Sequence, residues 1–204
     1  QTGKKVETPV IPTEDVLQRL TLYPEIEKLY GHGYEITCCC ASPDYIASAC
    51  RSNTAKHAVI RVFDTAKYQS SHVLEGHNLT ITSMAFSPNK EYLIAVSRDR
   101  QLSLWRNFEL VLIFQAHSRI IWDCAWINDE YFVTGSRDKL VKLWKIGEEN
   151  AQALYKFGAP VMSVDSINVD GKHVLAVGLE DGGIVVVTRS EEHTSELSHI
   201  TISY

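Results

Sequence analysis

No stretch of this 204-residue sequence stays apolar for longer than a β-strand, so no transmembrane helix is expected. The opening residues Gln1–Lys5 are polar and do not resemble a secretory signal peptide. The chain also begins without Met, and is expected to be an excised portion of a longer protein. Cysteine is sparse and oddly placed: Cys38, Cys39, Cys40, Cys50 and Cys124. Three in a row suit neither a disulfide framework nor a paired-cysteine zinc knuckle. These thiols are expected to be reduced, mostly buried small hydrophobes of an intracellular protein. A strong charge imbalance is missing too. The formal net charge of −5 gives no global reason to expect nucleic acid or an anionic membrane as partner. Helical periodicity is confined to Glu14–Leu20.

What the sequence does contain is a repeat. One copy runs from Gly76-His77 through Phe86-Ser87-Pro88 and Val96-Ser97-Arg98-Asp99 to Leu102-Ser103-Leu104-Trp105. A second runs from Ala116-His117 through Trp126 and Gly135-Ser136-Arg137-Asp138 to Val141-Lys142-Leu143-Trp144. His77 and His117 lie 40 positions apart, and each Asp precedes its Trp by six. A weaker copy starts at Gly31-His32 and ends at Val62-Phe63-Asp64. A fourth starts at Gly158-Ala159 and ends at Asp181 and Val187, without the His or the Trp. A period near 40 with Gly-His at one end and Trp at the other resembles the WD40 repeat, which implies a β-propeller.

Each copy also reads as four short strands. Thr80–Phe86, Tyr92–Val96, Gln101–Trp105 and Leu110–Phe114 are rich in β-branched and aromatic residues, and Ser87-Pro88-Asn89 and Arg98-Asp99-Arg100 separate them as turns. The expected class is all-β, a partial WD40 propeller of about four blades. A closed propeller of this kind takes seven blades of ~42 residues. The expected units lie near 29–64, 74–106, 114–146 and 155–188, within a propeller segment 25–188 that follows a linker, 1–24. The run from Arg189 to Leu197 breaks the strand pattern. It resembles the conceptual translation of a sequencing-adapter oligonucleotide, so 189–204 is expected to be a non-native tail.

His77, Ser97 and Asp99, and again His117, Ser136 and Asp138, suggest a hydrolytic triad. Their recurrence with a Trp in every set, and the absence of a G-x-S-x-G elbow, favour a structural circuit. In that circuit Trp105 would donate to Ser97, Ser97 would reach His77, and His77 would bond Asp99; Trp144 would close the second set. The first copy has His57 where the Asp should stand, with an insertion 51–56, and is expected to lack the circuit. No catalytic, cofactor or metal site is expected.

Binding is expected on the rim beside the central channel. In WD40 repeats the residue before the circuit Asp lies there, which nominates Arg98 and Arg137. Arg100 and Arg119 would join them; Trp122 would add an aromatic anchor, with core packing as its alternative and commoner role. Arginine offers a planar fork for carboxylate or phosphate. Pairing of these arginines with Asp123, Asp129 or Glu180 is the alternative, and both readings stand at this point.

Longer strings narrow the resemblance. Pro12 to Arg19, Leu22-Tyr23-Pro24-Glu25, Leu29-Tyr30-Gly31-His32-Gly33-Tyr34-Glu35-Ile36, Ser48 to Ser52 and Arg119-Ile120-Ile121-Trp122-Asp123 together resemble the family of the second subunit of the Elongator complex, within its second propeller, over residues 10–187. The resemblance implies a non-catalytic scaffold. It would support modification of tRNA wobble uridines by holding the catalytic radical-SAM and acetyltransferase subunit together with the large scaffold subunit. It further implies an indirect tRNA contact, no membrane, no cofactor, and a cytoplasmic location with the nucleus as a second. The competing function is direct binding of RNA or an acidic peptide through the arginine face.

Overall fold

The computed structural model describes residues 10–20, 23–190 and 198–202; side chains of Gln18, Arg189, Ser190 and 198–202 are not described. The chain divides into two units, residues 1–30 and 31–204. The first holds one short helix, α1 (Glu14–Leu20), where the periodicity places it. Thr13 accepts the first helical N–H groups, and Arg19 pairs with Asp15 one turn back. Residues 1–9 and 21–22 of the expected linker lie outside the described residues.

The second unit is four antiparallel sheets of four strands each, taken in chain order. Blade one comprises β1 (Ile36–Ala41), β2 (Tyr45–Cys50), β3 (Ile60–Asp64) and β4 (Ser70–Leu74). Blade two comprises β5 (Ile81–Phe86), β6 (Tyr92–Ser97), β7 (Gln101–Arg106) and β8 (Glu109–Gln115). Blade three comprises β9 (Ile121–Trp126), β10 (Tyr131–Ser136), β11 (Leu140–Lys145) and β12 (Ala153–Lys156). Blade four comprises β13 (Val161–Val169), β14 (Lys172–Leu179), β15 (Ile184–Ser190) and β16 (Ser198–Ile202). The end of β15 and all of β16 fall within the segment expected to be a tail, while 191–197 and 203–204 lie outside the described residues.

Alternation along each middle strand sorts side chains between two neighbouring blades. On β6, Leu93 and Ala95 face blade one, while Ile94 and Val96 face blade three. On β10, Phe132 faces blade two and Val133 faces blade four. Three separate cores result, one per blade junction, which is why these strands are apolar on both faces.

Every innermost strand carries a bulge near its start, and the extra residue is Thr37, Thr82, Trp122 or Met162. Two of these stitch blades together. Thr37 Oγ1 donates to the Ile81 carbonyl at 2.8 Å, and Thr82 Oγ1 to the Ile121 carbonyl at 2.5 Å. In blades two, three and four the turn that follows the second strand uses a left-handed residue, supplied by Arg100 (φ 70°), Lys139 (φ 73°) and Gly182 (φ 89°). That conformation costs little at Gly182 and more at the two cationic residues.

The cysteines are free, but fewer are enclosed than expected: Cys50 and Cys124 are buried, Cys38 and Cys40 half-buried, and Cys39 exposed. Burial pushes the Cys38 and Cys40 thiols up to about 12, and Cys124 well above its ordinary value. These three thiols are therefore protonated at neutral pH and poor nucleophiles.

Candidate interaction site

The polar circuits exist, wired differently from the expectation. In blade two His77 Nδ1 bonds Asp99 Oδ2 at 2.9 Å and His77 Nε2 bonds Ser103 Oγ at 2.8 Å. Trp105 Nε1–H donates to the same Ser103 hydroxyl at 2.8 Å. Ser97 is not a member. Its hydroxyl donates to the Leu79 and Thr80 carbonyls and accepts the Asp99 N–H at 3.1 Å, pinning the turn. The reason is strand geometry. Ser103 and Trp105 are two apart on β7 and project from one face, whereas Ser97 ends β6 beside the turn.

Blade three repeats the circuit with a change of strand. His117 Nδ1 bonds Asp138 Oδ2 at 2.8 Å, and Thr134 Oγ1 sits between His117 Nε2 (2.7 Å) and Trp144 Nε1 (2.9 Å). Thr134 lies on β10, paired with Lys142; the matching pair in blade two is Ala95 with Ser103. The hydroxyl thus crosses from the third strand to the second while the circuit stays closed. Ser136 holds its turn as Ser97 does, bonding the Arg119 and Ile120 carbonyls.

Ser103–His77–Asp99 has the connectivity of a hydrolytic triad, and its surroundings forbid that chemistry. Ser103 and Thr134 are 0% exposed, and each hydroxyl is already occupied by an indole N–H. Burial alone would raise the Asp99 and Asp138 carboxyls. Hydrogen bonds from the histidines and from backbone N–H groups outweigh it and hold both below the ordinary value. His117 is pushed down by burial in spite of Asp138.

In blade one the circuit is half present. His32 Nε2 bonds Ser48 Oγ at 2.8 Å, with Ser48 on the second strand as Thr134 is. Phe63 replaces the tryptophan, and His57 stands at the acid's register position, so the circuit is open at both ends.

The top rim gathers the four nominated arginines. Arg98, Arg100, Arg119 and Arg137, with Leu79 and Ile120, line one cavity of about 290 Å³ across blades two and three. All four are exposed. Among the described residues none of them is ion-paired with a carboxylate. Two of the acids offered as their partners, Asp123 and Asp129, are used elsewhere. Asp123 Oδ1 accepts from Ser83 Oγ (2.8 Å) and from the Cys124 N–H, and its Oδ2 accepts from the Val164 N–H (2.9 Å), so it joins three blades. Burial pushes its carboxyl up. Asp129 accepts the Asn89 N–H at 2.8 Å.

Arg98 also stacks over Trp122, 5.4 Å from the ring centroid, and both line a second cleft of about 730 Å³. Tyr34, Arg51 and Asn53 complete its edge. Arg51 is a rim residue that the sequence did not nominate: its N–H bonds the Glu35 carbonyl as those of Arg98 and Arg137 bond Thr80 and Ile120. The insertion after it obscures the alignment. Blade four breaks the series by placing Glu180 at this position.

Bulged inner strands, closed histidine-acid circuits in blades two and three and a rim of turn residues define a WD40-type β-propeller. The chain belongs to this family: the model of the WD domain, G-beta repeat matches residues 24–57, 68–106 and 108–145. It is similar to Elongator complex protein 2 of Saccharomyces cerevisiae (51% identity, 56% of this chain, 16% of the relative), Homo sapiens (47%; 58% and 16%) and Rattus norvegicus (39%; 88% and 26%). The chain therefore spans about a quarter or less of these relatives. Solved WD40 structures share the fold: the RRP9 WD40 repeats at TM-score 0.71 and 22% identity, covering 85% of this chain and 52% of that one, and U3-55K at 0.70 and 24%, covering 85% and 53%.

Proposed function

We propose that this chain is part of a non-catalytic assembly scaffold of the Elongator complex, and that the arginine cavity on blades two and three is a partner contact. The observation that carries the reading is the convergence of Arg98, Arg100, Arg119 and Arg137 on one cavity whose lining holds no carboxylate; among the described residues none of the four is ion-paired, because the adjacent Asp99 and Asp138 are turned to the circuit histidines. Four unpaired guanidinium groups on rigid turns match a carboxylate-rich surface of another subunit. In this reading the partners are the catalytic radical-SAM and acetyltransferase subunit and the large scaffold subunit. The chain would serve tRNA wobble-uridine modification by holding them together, in the cytoplasm and also the nucleus, with tRNA touched indirectly.

Charge reversal tests it. Arg98→Glu combined with Arg137→Glu should weaken co-purification of the other subunits while leaving the fold intact; undiminished recovery would remove the arginine cavity from the interface.

A second reading is direct binding of RNA or an acidic peptide, favoured by the stacking of Arg98 on Trp122, which pairs a cation with an aromatic face. Steep loss of RNA binding with rising salt would support it. Retention of partner subunits at high salt would favour the scaffold.

A further inference from the structure

The first blade leaves two buried nitrogens without partners and has no acid where its neighbours place one. In blade two the Asp99 carboxylate is held from three sides: His77 Nδ1 and the Asn78 N–H bond Oδ2, and the Gln101 N–H bonds Oδ1, each at 2.9 Å. Blade three treats Asp138 alike, through His117, Ser118 and Leu140. The strand register sets Ser48 opposite Arg61 as it sets Thr134 opposite Lys142, which makes His57 the counterpart of Asp99 and Asp138. A basic residue thus replaces the acid, and His32 Nδ1 is buried with no hydrogen-bond partner.

A second orphan lies beside it. Arg61 Nε is also buried without a partner, and the guanidinium acts electrostatically on His32. Lys142, at the same register position in blade three, discharges its ammonium onto the Ala116 carbonyl at 2.7 Å. Arg61 has no such outlet. It lies along Gly31, where a Cβ would come within 3.1 Å of its Cδ and where φ is 150°. Gly33 flanks His32 on the other side, with His57 3.3 Å from where its Cβ would be. The His57 ring rests edge-on against half-exposed Tyr34, at 5.0 Å between centroids and 86°. Of the acids nearest in sequence, Glu35 is taken by Arg51 at 3.1 Å and Asp64 accepts the Lys67 N–H at 2.7 Å. Among the described residues Arg61 therefore has no ion-paired carboxylate, and with His32 and His57 it forms a basic corner flanked by two exposed glycines that leave backbone and ring open to close approach.

Buried polar groups left without partners mark either strain or a missing ligand. The neighbouring blades show which ligand completes this geometry. We propose that the His32 corner of blade one is a carboxylate-binding site, completed by an aspartate or glutamate side chain on a polypeptide segment that covers the face of blade one turned away from blade two. That face is the equivalent of the one on which His77, Ser103 and Trp105 meet in blade two, where blade one covers them. The site is separate from the arginine cavity, and either can fail without the other.

The test uses the whole chain, labelled with 15N at histidine, with His32 assigned by its loss in His32→Gln. Sodium acetate is titrated against sodium chloride of equal ionic strength. Acetate should move the His32 ring resonances saturably toward the Nδ1–H tautomer and raise its titration midpoint by about one unit, leaving His77 and His117 in place. His57→Asp, which restores the acid in cis, should reproduce the shift without acetate, and His57→Asn should not. A short acetylated glutamate peptide should saturate the site at lower concentration than acetate. No response to acetate beyond that to chloride, or an unchanged His32 ring in His57→Asp, would overturn the site. A peptide that binds no better than acetate would overturn its assignment to a polypeptide acid.

Discussion

Blades two and three solve one problem twice, and blade one leaves it half solved. In blades two and three a histidine, an acid, a hydroxyl and an indole close a buried circuit, yet the hydroxyl comes from β7 in one and β10 in the other. In blade one the histidine and hydroxyl remain, while the acid and the indole are gone. What the circuit requires is a hydroxyl at one point in space; the strand that carries it is free to vary. Where the acid is lost, the same scaffold leaves a basic corner with two unpartnered nitrogens. A structural motif turns into a candidate binding feature where His57 replaces the acid and Arg61 stands beside the histidine.

The comparison can be broken most severely at the acids. Asp99→Ala or Asp138→Ala leaves a buried histidine nitrogen and two backbone N–H groups unsatisfied, and should lower stability by ~1–3 kcal/mol in urea unfolding. A cost near zero would mean that the circuits do not support the fold. Ser97→Ala or Ser136→Ala removes a turn brace and spares the circuit, so a smaller loss of ~1 kcal/mol is expected in the same assay. Parity with the aspartate variants would argue that the turn, not the circuit, dominates.

pH sharpens the comparison further. The Asp99 and Asp138 carboxyls titrate below their ordinary value in the fold, so their contribution is full above pH ~4 and lost as pH falls through the folded values. His32 is held down chiefly by burial and next by Arg61, and His117 by burial. The unfolded chain takes up those protons near its ordinary value of 6.5 while the folded chain resists, so stability should begin to decline as pH drops below that value. Urea midpoints recorded from pH 8 downward should show two declines, and His32→Gln should flatten the first. A flat profile down to pH ~4 would contradict the histidine assignments. The smallest effect expected is none: a fluorophosphonate probe should label neither Ser97, Ser103 nor Ser136, because all three are fully buried.

The sequence carried the blades well because their period and turn residues are local signals. Thr80–Phe86 and Tyr92–Val96 fall within a residue of β5 and β6. The rim arginines were legible for the same reason: the position before each circuit acid is set by the turn. The wiring was not, because Ser97 and Ser103 are equally plausible by spacing, and only the face of the strand separates them. The Trp105 parity was available as a signal, since residues two apart share a face. Asp123 read as an arginine partner because its role depends on Ser83 and Val164, which lie 40 or more positions away in sequence. The fate of His32 was hidden similarly, since an insertion separates it from His57 and its orphaned nitrogen is visible only when burial is known.

The most direct measurement of the central claim moves the hydroxyl between strands. Ser103→Ala should destabilise the protein by ~1–3 kcal/mol by stranding His77 Nε2 and the Trp105 indole. Adding Ala95→Thr, which gives blade two the wiring of blade three, should recover most of that loss in a double-mutant cycle. If the double variant is no more stable than Ser103→Ala alone, the circuits are not equivalent and the account of them is wrong.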